Sequence, residues 1–102
     1  MSFAILADAV AFIAEHVRED NYDALFEVCL DRHDKDSFIH CVKLLKEIDE
    51  KTPLPFLYAK ASFPPKADKF KLGGHGSELG HIHIDFIKKK GKWFLDKIWL
   101  CK

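Results

Sequence analysis

Apolar residues in the first half of the chain recur with the period of an α-helix. They are spaced three and four residues apart, as on one face of a helix of about four turns. These positions are Phe3, Leu6, Val10, Ile13 and Val17. Ser2 is the expected N-cap of this first helix.

Two further helices are predicted before residue 53. Asn21 is expected to cap a short second helix, and Asp36 is expected to cap a third. The apolar face of the second helix comprises Leu25, Phe26 and Cys29, and that of the third comprises Phe38, Cys41, Val42, Leu45 and Ile48. Pro53 ends the third helix, because proline disfavours helical backbone in the residue before it.

The pattern changes to that of β-strands after Pro53. The aromatic segment 56–63 lies between prolines and predicts an edge strand, because proline cannot donate to an inner ladder. Residues 69–72 predict a short strand, and apolar and polar residues alternate over 80–88. A turn at 89–91 and an apolar strand over 93–101 complete a predicted hairpin.

Helices followed by antiparallel strands indicate an α+β protein. We expect a single domain over 1–102, with a helical part (1–52) packed on a curved antiparallel sheet formed by the strand part (53–102). A length of 102 residues, with 48% hydrophobic and 31% charged residues, is typical of one soluble globular domain.

The last strand is apolar on both of its faces. One face carries Trp93, Leu95, Trp99 and Cys101, and the other carries Phe94, Ile98 and Leu100. Such a strand is normally covered on both sides, so we expect a homodimer through the sheet face. The alternative is a β-bulge near Asp96 and Lys97, which would turn Trp93, Leu95, Ile98 and Leu100 inward and leave Trp99 outside. That arrangement weakens the case for a dimer.

Two segments resemble one protein superfamily. Residues 13–25 (IAEHVREDNYDAL) are similar to the first helical hairpin of nuclear-transport-factor-2-like (cystatin-like cone) proteins, and residues 90–98 (KGKWFLDKI) are similar to their closing hairpin. The resemblance implies a curved sheet around helices with a cone-shaped cavity, which would be small or absent in so short a chain. It implies no fixed function, since members include isomerases, dehydratases, ligand binders, transport adaptors and immunity proteins.

Three polar residues alternate along one predicted strand. His81, His83 and Asp85 would project from the same face, roughly 7 Å apart at alternate positions. Imidazole and carboxylate groups are ligands for zinc or iron, and His75 is a candidate fourth ligand. The alternative is a solvated sheet face, on which polar residues alternate by necessity.

Other candidate chemistry is sparse. Tyr22, Tyr58 and His83 are candidate ligand-binding residues in a cone cavity, where Tyr22, Tyr58 or Asp23 would also serve an acid–base isomerase or hydrolase. The run from His81 to residue 87 also matches most of a histidine-triad nucleotide hydrolase motif, with His83 as nucleophile. No catalytic residue is assigned, because no nucleophile, base and orienting group occur together.

Charge and cysteine content limit the partners and the compartment. Sixteen basic and sixteen acidic residues give a net charge of zero, which argues against nucleic acid and anionic membranes as partners. Three cysteines without a CxxC motif fit a reducing cytoplasm, and Cys101 has no base beside it in the sequence. We therefore expect a cytoplasmic, non-enzymatic domain that binds a small apolar ligand or a protein partner. The alternatives are a small enzyme or a zinc or iron protein.

Overall fold

A computed structural model describes residues 1–61, 68–73 and 79–101 of the chain. Its helices are α1 (Leu6–Arg18), α2 (Tyr22–Val28), α3 (Lys35–Lys51) and α4 (Leu54–Lys60), and its strands are β1 (Lys69–Gly73), β2 (Ile82–Lys89) and β3 (Lys92–Leu100). The strands form an antiparallel sheet in the order β1-β2-β3. The α+β class and the closing hairpin are therefore confirmed. No helix in the described part is both long enough and apolar enough to cross a membrane.

The prediction of an edge strand over 56–63 is wrong for the residues that the structure describes. Helix α4 covers Leu54–Lys60, with Pro53 at its N-cap and Pro55 in its first turn. Proline suits this place because the first helical N–H groups need no partner within the helix. The prolines that indicated an edge strand instead start a helix, and Phe63 lies outside the described residues.

Two helices begin at other residues than expected. Helix α1 starts at Leu6, because Phe3 pairs with the edge of β3 instead. The N–H of each of Phe3 and Trp93 donates to the other's carbonyl at 2.8 Å. Ser2 is therefore not the N-cap of α1.

Asp34, and not Asp36, caps α3. Its carboxylate accepts hydrogen bonds from both the N–H and the hydroxyl of Ser37 at 2.9 Å, which satisfies one unpaired donor of the first turn. Asn21 does occupy the N-cap of α2, as expected, but its side chain makes no capping hydrogen bond.

One face of the sheet is buried against α1 and α3. The alternation predicted for β2 is confirmed, since Ile82, Ile84 and Phe86 are each at most 2% exposed. The helices contribute Val10, Ile13, Val17, Phe38 and Leu45 to the same core. The free edge of β3 is covered by Phe3 and by the loop after α2, where the N–H groups of Leu30 and Asp31 donate to the carbonyls of Leu95 and Asp96.

A β-bulge determines which side chains of β3 face the helices. The register of β2 and β3 shifts between Asp85 and Phe86, so that Asp96 is the extra residue on β3. Trp93, Leu95 and Ile98 consequently all face the helices and are buried. The bulge alternative is confirmed, except that Leu100 is 40% exposed.

The other side of the sheet, here called the outer face, consists of three cross-strand rows. Across β1, β2 and β3 the rows are Lys69–Ile87–Phe94, Lys71–Asp85–Lys97 and Gly73–His83–Trp99. Polar, aromatic and lysine side chains are mixed on this face. It is not the continuous apolar surface that the prediction of a homodimer assumed.

Gly73, at the end of β1, is expected to tolerate no side chain. Its φ of +103° is unfavourable for other residues, and an added Cβ would overlap the carbonyl oxygen of Ile82 and lie 2.8 Å from Leu79 Cδ1. We expect Gly73→Ala to lower the free energy of unfolding by about 3 kcal/mol, measured by urea denaturation. Gly91→Ala is the matched control, because its φ is +77° but nothing lies within 4 Å of the added Cβ. Equal losses for the two variants would contradict the steric argument.

Candidate functional site

Trp99 lies at the centre of a cluster on the outer face. Its ring stacks on the imidazole of His83, with centroids 4.3 Å apart and an angle of 15° between the planes. Its indole N–H donates to Asp85 Oδ2 at 2.7 Å. The bulge makes this arrangement possible, since without it Trp99 would share the face of Trp93. The half-buried indole is thus held in one orientation by two residues of β2.

Two lysines complete the Trp99 cluster, which we define as Lys71, His83, Asp85, Lys97 and Trp99. The ammonium groups of Lys71 and Lys97 lie 5.3 Å and 5.5 Å from the Trp99 ring centroid, within the range of cation–π attraction. Lys71 comes from β1 and Lys97 from β3, so all three strands contribute to the cluster. A fixed aromatic ring with cations beside it is a favourable anchor for a binding partner, because little side-chain entropy is left to lose.

A groove of about 590 Å³ runs beside the cluster. It is lined by Lys69, Phe70, Lys71, Asp85, Phe86, Ile87 and Asp96. Burial, together with the nearby carboxylates of Asp31 and Asp85, raises the pKa of Asp96. Asp85 Oδ1 is buried and has no hydrogen-bond partner among the described residues. This oxygen therefore carries an uncompensated desolvation cost within the folded protein.

Charge is distributed unevenly between the two parts of the chain. Residues 1–61 contain seven basic and twelve acidic residues, which gives a formal charge of −5. Residues 62–102 contain nine basic and four acidic residues, which gives a formal charge of +5. The lysines of the described strands and of the turn between β2 and β3 are Lys69, Lys71, Lys88, Lys89, Lys90, Lys92 and Lys97. The net charge of zero conceals this asymmetry between the two parts of the chain.

The structure does not assemble the predicted zinc or iron site. His83 stacks on Trp99, Asp85 accepts the indole N–H, and His81 Nδ1 lies 3.6 Å from Cys101 Sγ. Across residues 1–61, 68–73 and 79–101, no group of three or more His, Cys, Asp or Glu residues is placed to hold a metal ion. The candidate fourth ligand, His75, lies outside these ranges.

The predicted ligand-binding residues Tyr22, Tyr58 and His83 are not brought together. The Tyr22 hydroxyl donates to Asp20 at 3.2 Å on the helical surface. Tyr58 packs edge-to-face on Phe70 at the helix-facing side of the sheet, with centroids 5.8 Å apart, whereas His83 lies on the outer face. These three residues therefore do not line a common pocket.

Within residues 1–61, 68–73 and 79–101, core side chains pack between the helices and the sheet, where a cone cavity was expected. Phe38, Phe86 and Leu95, each 1% exposed, lie between the helices and the sheet. Asp23, the other acid–base candidate, is paired with Lys35 on the surface. The histidine-triad hypothesis also gains no support, because the His83 residue is only 7% exposed and its ring lies against Trp99.

Sequence reasoning missed the base beside Cys101. Cys101 and His81 are twenty residues apart in the chain, but the N–H of Cys101 donates to the carbonyl of His81 at 2.9 Å across the sheet. Their side chains meet at the same point. The alternation of β2 already placed His81 on this face, and only the register of the hairpin was needed to bring the thiol beside it.

The outer face combines packed side chains with an open groove. Its central groups engage one another through stacking, cation–π contacts and a hydrogen bond, and its groove is bordered by lysines. Comparisons of the chain with protein families, with curated proteins and with solved structures give no match.

Proposed function

We propose that this protein is a non-enzymatic protein-interaction domain whose outer face binds an acidic segment of a partner protein. The observation that carries the proposal is the Trp99 cluster, in which a fixed, half-buried indole is flanked by Lys71 and Lys97. Tryptophan is among the residues that contribute most to binding at interfaces. Lysines around such an anchor attract an acidic partner and orient it during encounter.

The groove gives this partner a defined place. A chain lying along the groove would pass between Lys69 and Lys71 on one side and Asp96 on the other. A backbone N–H of the partner would donate to the carboxylate of Asp96, which lines the groove and is partly exposed. Acidic side chains of the same segment would reach the lysines, so that one short peptide satisfies both kinds of group.

Charge favours an acidic protein over the other occupants. Two copies meeting face to face would bring the same lysines together, and the resulting repulsion disfavours a homodimer. Asp85 and Asp96 lie within the face and would repel the continuous phosphates of a nucleic acid. An acidic peptide can place its charges at the lysines and a neutral residue at these carboxylates.

We further propose a compact fold of the nuclear-transport-factor-2-like type. It is supported by the helical hairpin of α1 and α2 and by the closing hairpin of β2 and β3, whose sheet packs one face on the helices. The cytoplasm is the proposed compartment, because Cys29, Cys41 and Cys101 are all thiols and a reducing environment keeps them so.

An NMR titration tests the proposed binding surface. The probe is a peptide of alternating glutamate and tyrosine, and the matched control is the same peptide with lysine in place of glutamate. We expect the acidic peptide to bind with a Kd on the order of 0.1 mM and to shift the indole N–H signal of Trp99. Trp93 is the internal reference, because it is 5% exposed on the opposite side of β3 and its signal should stay in place.

Three results would overturn this proposal. One is equal binding of the acidic and basic peptides, or shifts confined to the helices. The second is tighter binding of a single-stranded oligothymidine than of the acidic peptide. The third is sedimentation of the protein as a dimer that loses its association when Trp99 is replaced by lysine.

A further inference from the structure

Cys101 and His81 form a pair at one end of the outer face. They lie two residues beyond His83 and Trp99 along β2 and β3, with Cys101 Sγ 3.6 Å from His81 Nδ1. This distance is within hydrogen-bond reach for sulfur, and His81 is exposed while Cys101 is partly exposed. A thiol within reach of an imidazole is the arrangement that activates cysteine as a nucleophile.

The other two cysteines provide a contrast within the same chain. Cys29 and Cys41 are 2% and 1% exposed and belong to the hydrophobic core. Burial raises the pKa of the Cys29 thiol to about 12 and that of Cys41 to about 11. Both therefore remain protonated and inaccessible in the folded protein, so a reagent that requires a thiolate is directed to Cys101.

We infer that Cys101 and His81 form a thiol–disulfide exchange site, at which a low-molecular-weight disulfide such as oxidised glutathione modifies Cys101 and closes the outer face to its partner. The modification itself depends only on the geometry of the pair. Its effect on binding rests on the proposed function, since the outer face must first be a binding surface.

The exchange is balanced without any further oxidant. Cys101 gives its proton to Nδ1 of a neutral His81, and the Cys101 thiolate attacks one sulfur of the disulfide. A bond forms between Cys101 Sγ and that sulfur while the original S–S bond breaks. The second sulfur leaves with the electron pair and takes the proton from His81. The products are a mixed disulfide on Cys101 and one equivalent of low-molecular-weight thiol.

The adduct would change the outer face in two ways. A glutathionyl group on Cys101 stands near the His83–Trp99 stack, which lies two residues further along each strand. It carries two carboxylates and one ammonium group, so it brings a net negative charge near Lys71 and Lys97. An acidic segment would then meet both a steric obstacle and a competing anion at its anchor.

The first experiment measures modification without any partner. The folded protein is incubated with oxidised glutathione, and the adduct is followed by intact mass and located by peptide mapping. We expect one adduct per chain, on Cys101, and none in Cys101→Ser. We expect His81→Gln to slow the reaction on the order of tenfold. His16→Gln, at a partly exposed histidine of α1 that does not line the pocket around Trp99 and Leu100, is the control and should react like the wild type.

Two results would overturn the inference about the site. They are a Cys101 rate no greater than that of Cys29 and Cys41, or an unchanged rate in His81→Gln with its circular dichroism intact. A second experiment repeats the peptide titration on glutathionylated protein, where we expect at least a fivefold weaker affinity that a thiol reductant restores. Unchanged affinity would refute the blocking role alone. If the unmodified protein did not bind the acidic peptide, the proposed function would fail while the exchange site stood.

Discussion

Replacing Asp49 by alanine is expected to lower the free energy of unfolding by about 3 kcal/mol. The Asp49 carboxylate is only 2% exposed and lies near the end of α3. Its Oδ2 accepts from Arg18 Nε at 2.7 Å, and its Oδ1 accepts from Arg18 Nη2 at 3.1 Å. Oδ1 also accepts from the N–H of Leu54 at 2.8 Å. One side chain therefore joins α1, α3 and the first residue of α4.

Most of the lost stability in Asp49→Ala should come from polar groups that stay buried after their hydrogen-bond partner is removed. Leu54 is fully buried, so its N–H would lose its partner without gaining water. The guanidinium of Arg18 is half-exposed and can be solvated again, so the ion pair itself contributes only a modest share. For the same reason Arg18→Ala leaves a buried carboxylate with fewer donors, and should be costly although Arg18 is at the surface.

Urea denaturation followed by circular dichroism measures these losses. Asp49→Asn should lose less than Asp49→Ala, because an amide oxygen can still accept the Leu54 N–H. Glu50→Ala is the matched control, since Glu50 is the exposed neighbour of Asp49 on the same helix. If Asp49→Ala and Glu50→Ala lost equal stability, the carboxylate would not join the three helices as argued here.

Local sequence patterns correctly predicted those helices and strands whose hydrophobic periodicity can be read within the element itself. The helical period over Leu6–Arg18 and the alternation over Ile82–Lys89 each depend on one element burying one face. Helix α4 was missed because its signals are ambiguous. Aromatic residues between prolines are typical of an edge strand, yet the same prolines fit the start of a helix. The buried carboxylate of Asp49, which holds the first N–H of α4, decides between them and is not visible in the local sequence.

The local sequence also could not determine which side chains of β3 face the core. Both alternating sets of this strand are apolar, so the sequence allowed a covered flat strand as well as a bulged one. The bulge at Asp96 puts Trp93, Leu95 and Ile98 into the core together. It leaves Trp99 outside, where the polar residues of β2 form its surroundings. The core thus gains three large side chains, while one half-buried indole stays on the outer face.

The candidate site could be predicted only in part. Alternation placed His81, His83 and Asp85 on one face, and the strand register confirms this for His83 and Asp85. Their actual neighbours depend on the register between strands, which aligns Trp99 with His83 and brings Lys71 and Lys97 to the same indole. Register is a non-local property, and a shift of one residue would have exchanged the two faces. The sequence thus suggested metal ligands where the structure has an aromatic cluster.

Reversing the charge of both lysines in the Trp99 cluster is expected to have the largest effect on binding. We expect Lys71→Glu/Lys97→Glu to weaken binding of the glutamate–tyrosine peptide by about 50-fold, because each reversal replaces an attraction with a repulsion of similar size. Affinity is measured by NMR or fluorescence titration at two salt concentrations. The affinity of the wild type should fall as salt rises, and that of the double variant should rise slightly or stay level.

A second double variant separates the local effect from overall charge. Lys43→Glu/Lys51→Glu makes the same change of net charge on exposed positions of α3, away from the outer face. If only the total charge mattered, the two double variants would weaken binding equally, and the assignment of the site to the outer face would be wrong. Circular dichroism of both variants checks their fold, since Lys97 also approaches Asp31 at 3.8 Å. A large loss confined to the outer-face variant would place the acidic partner at Trp99, where an ordered aromatic ring and two cations converge.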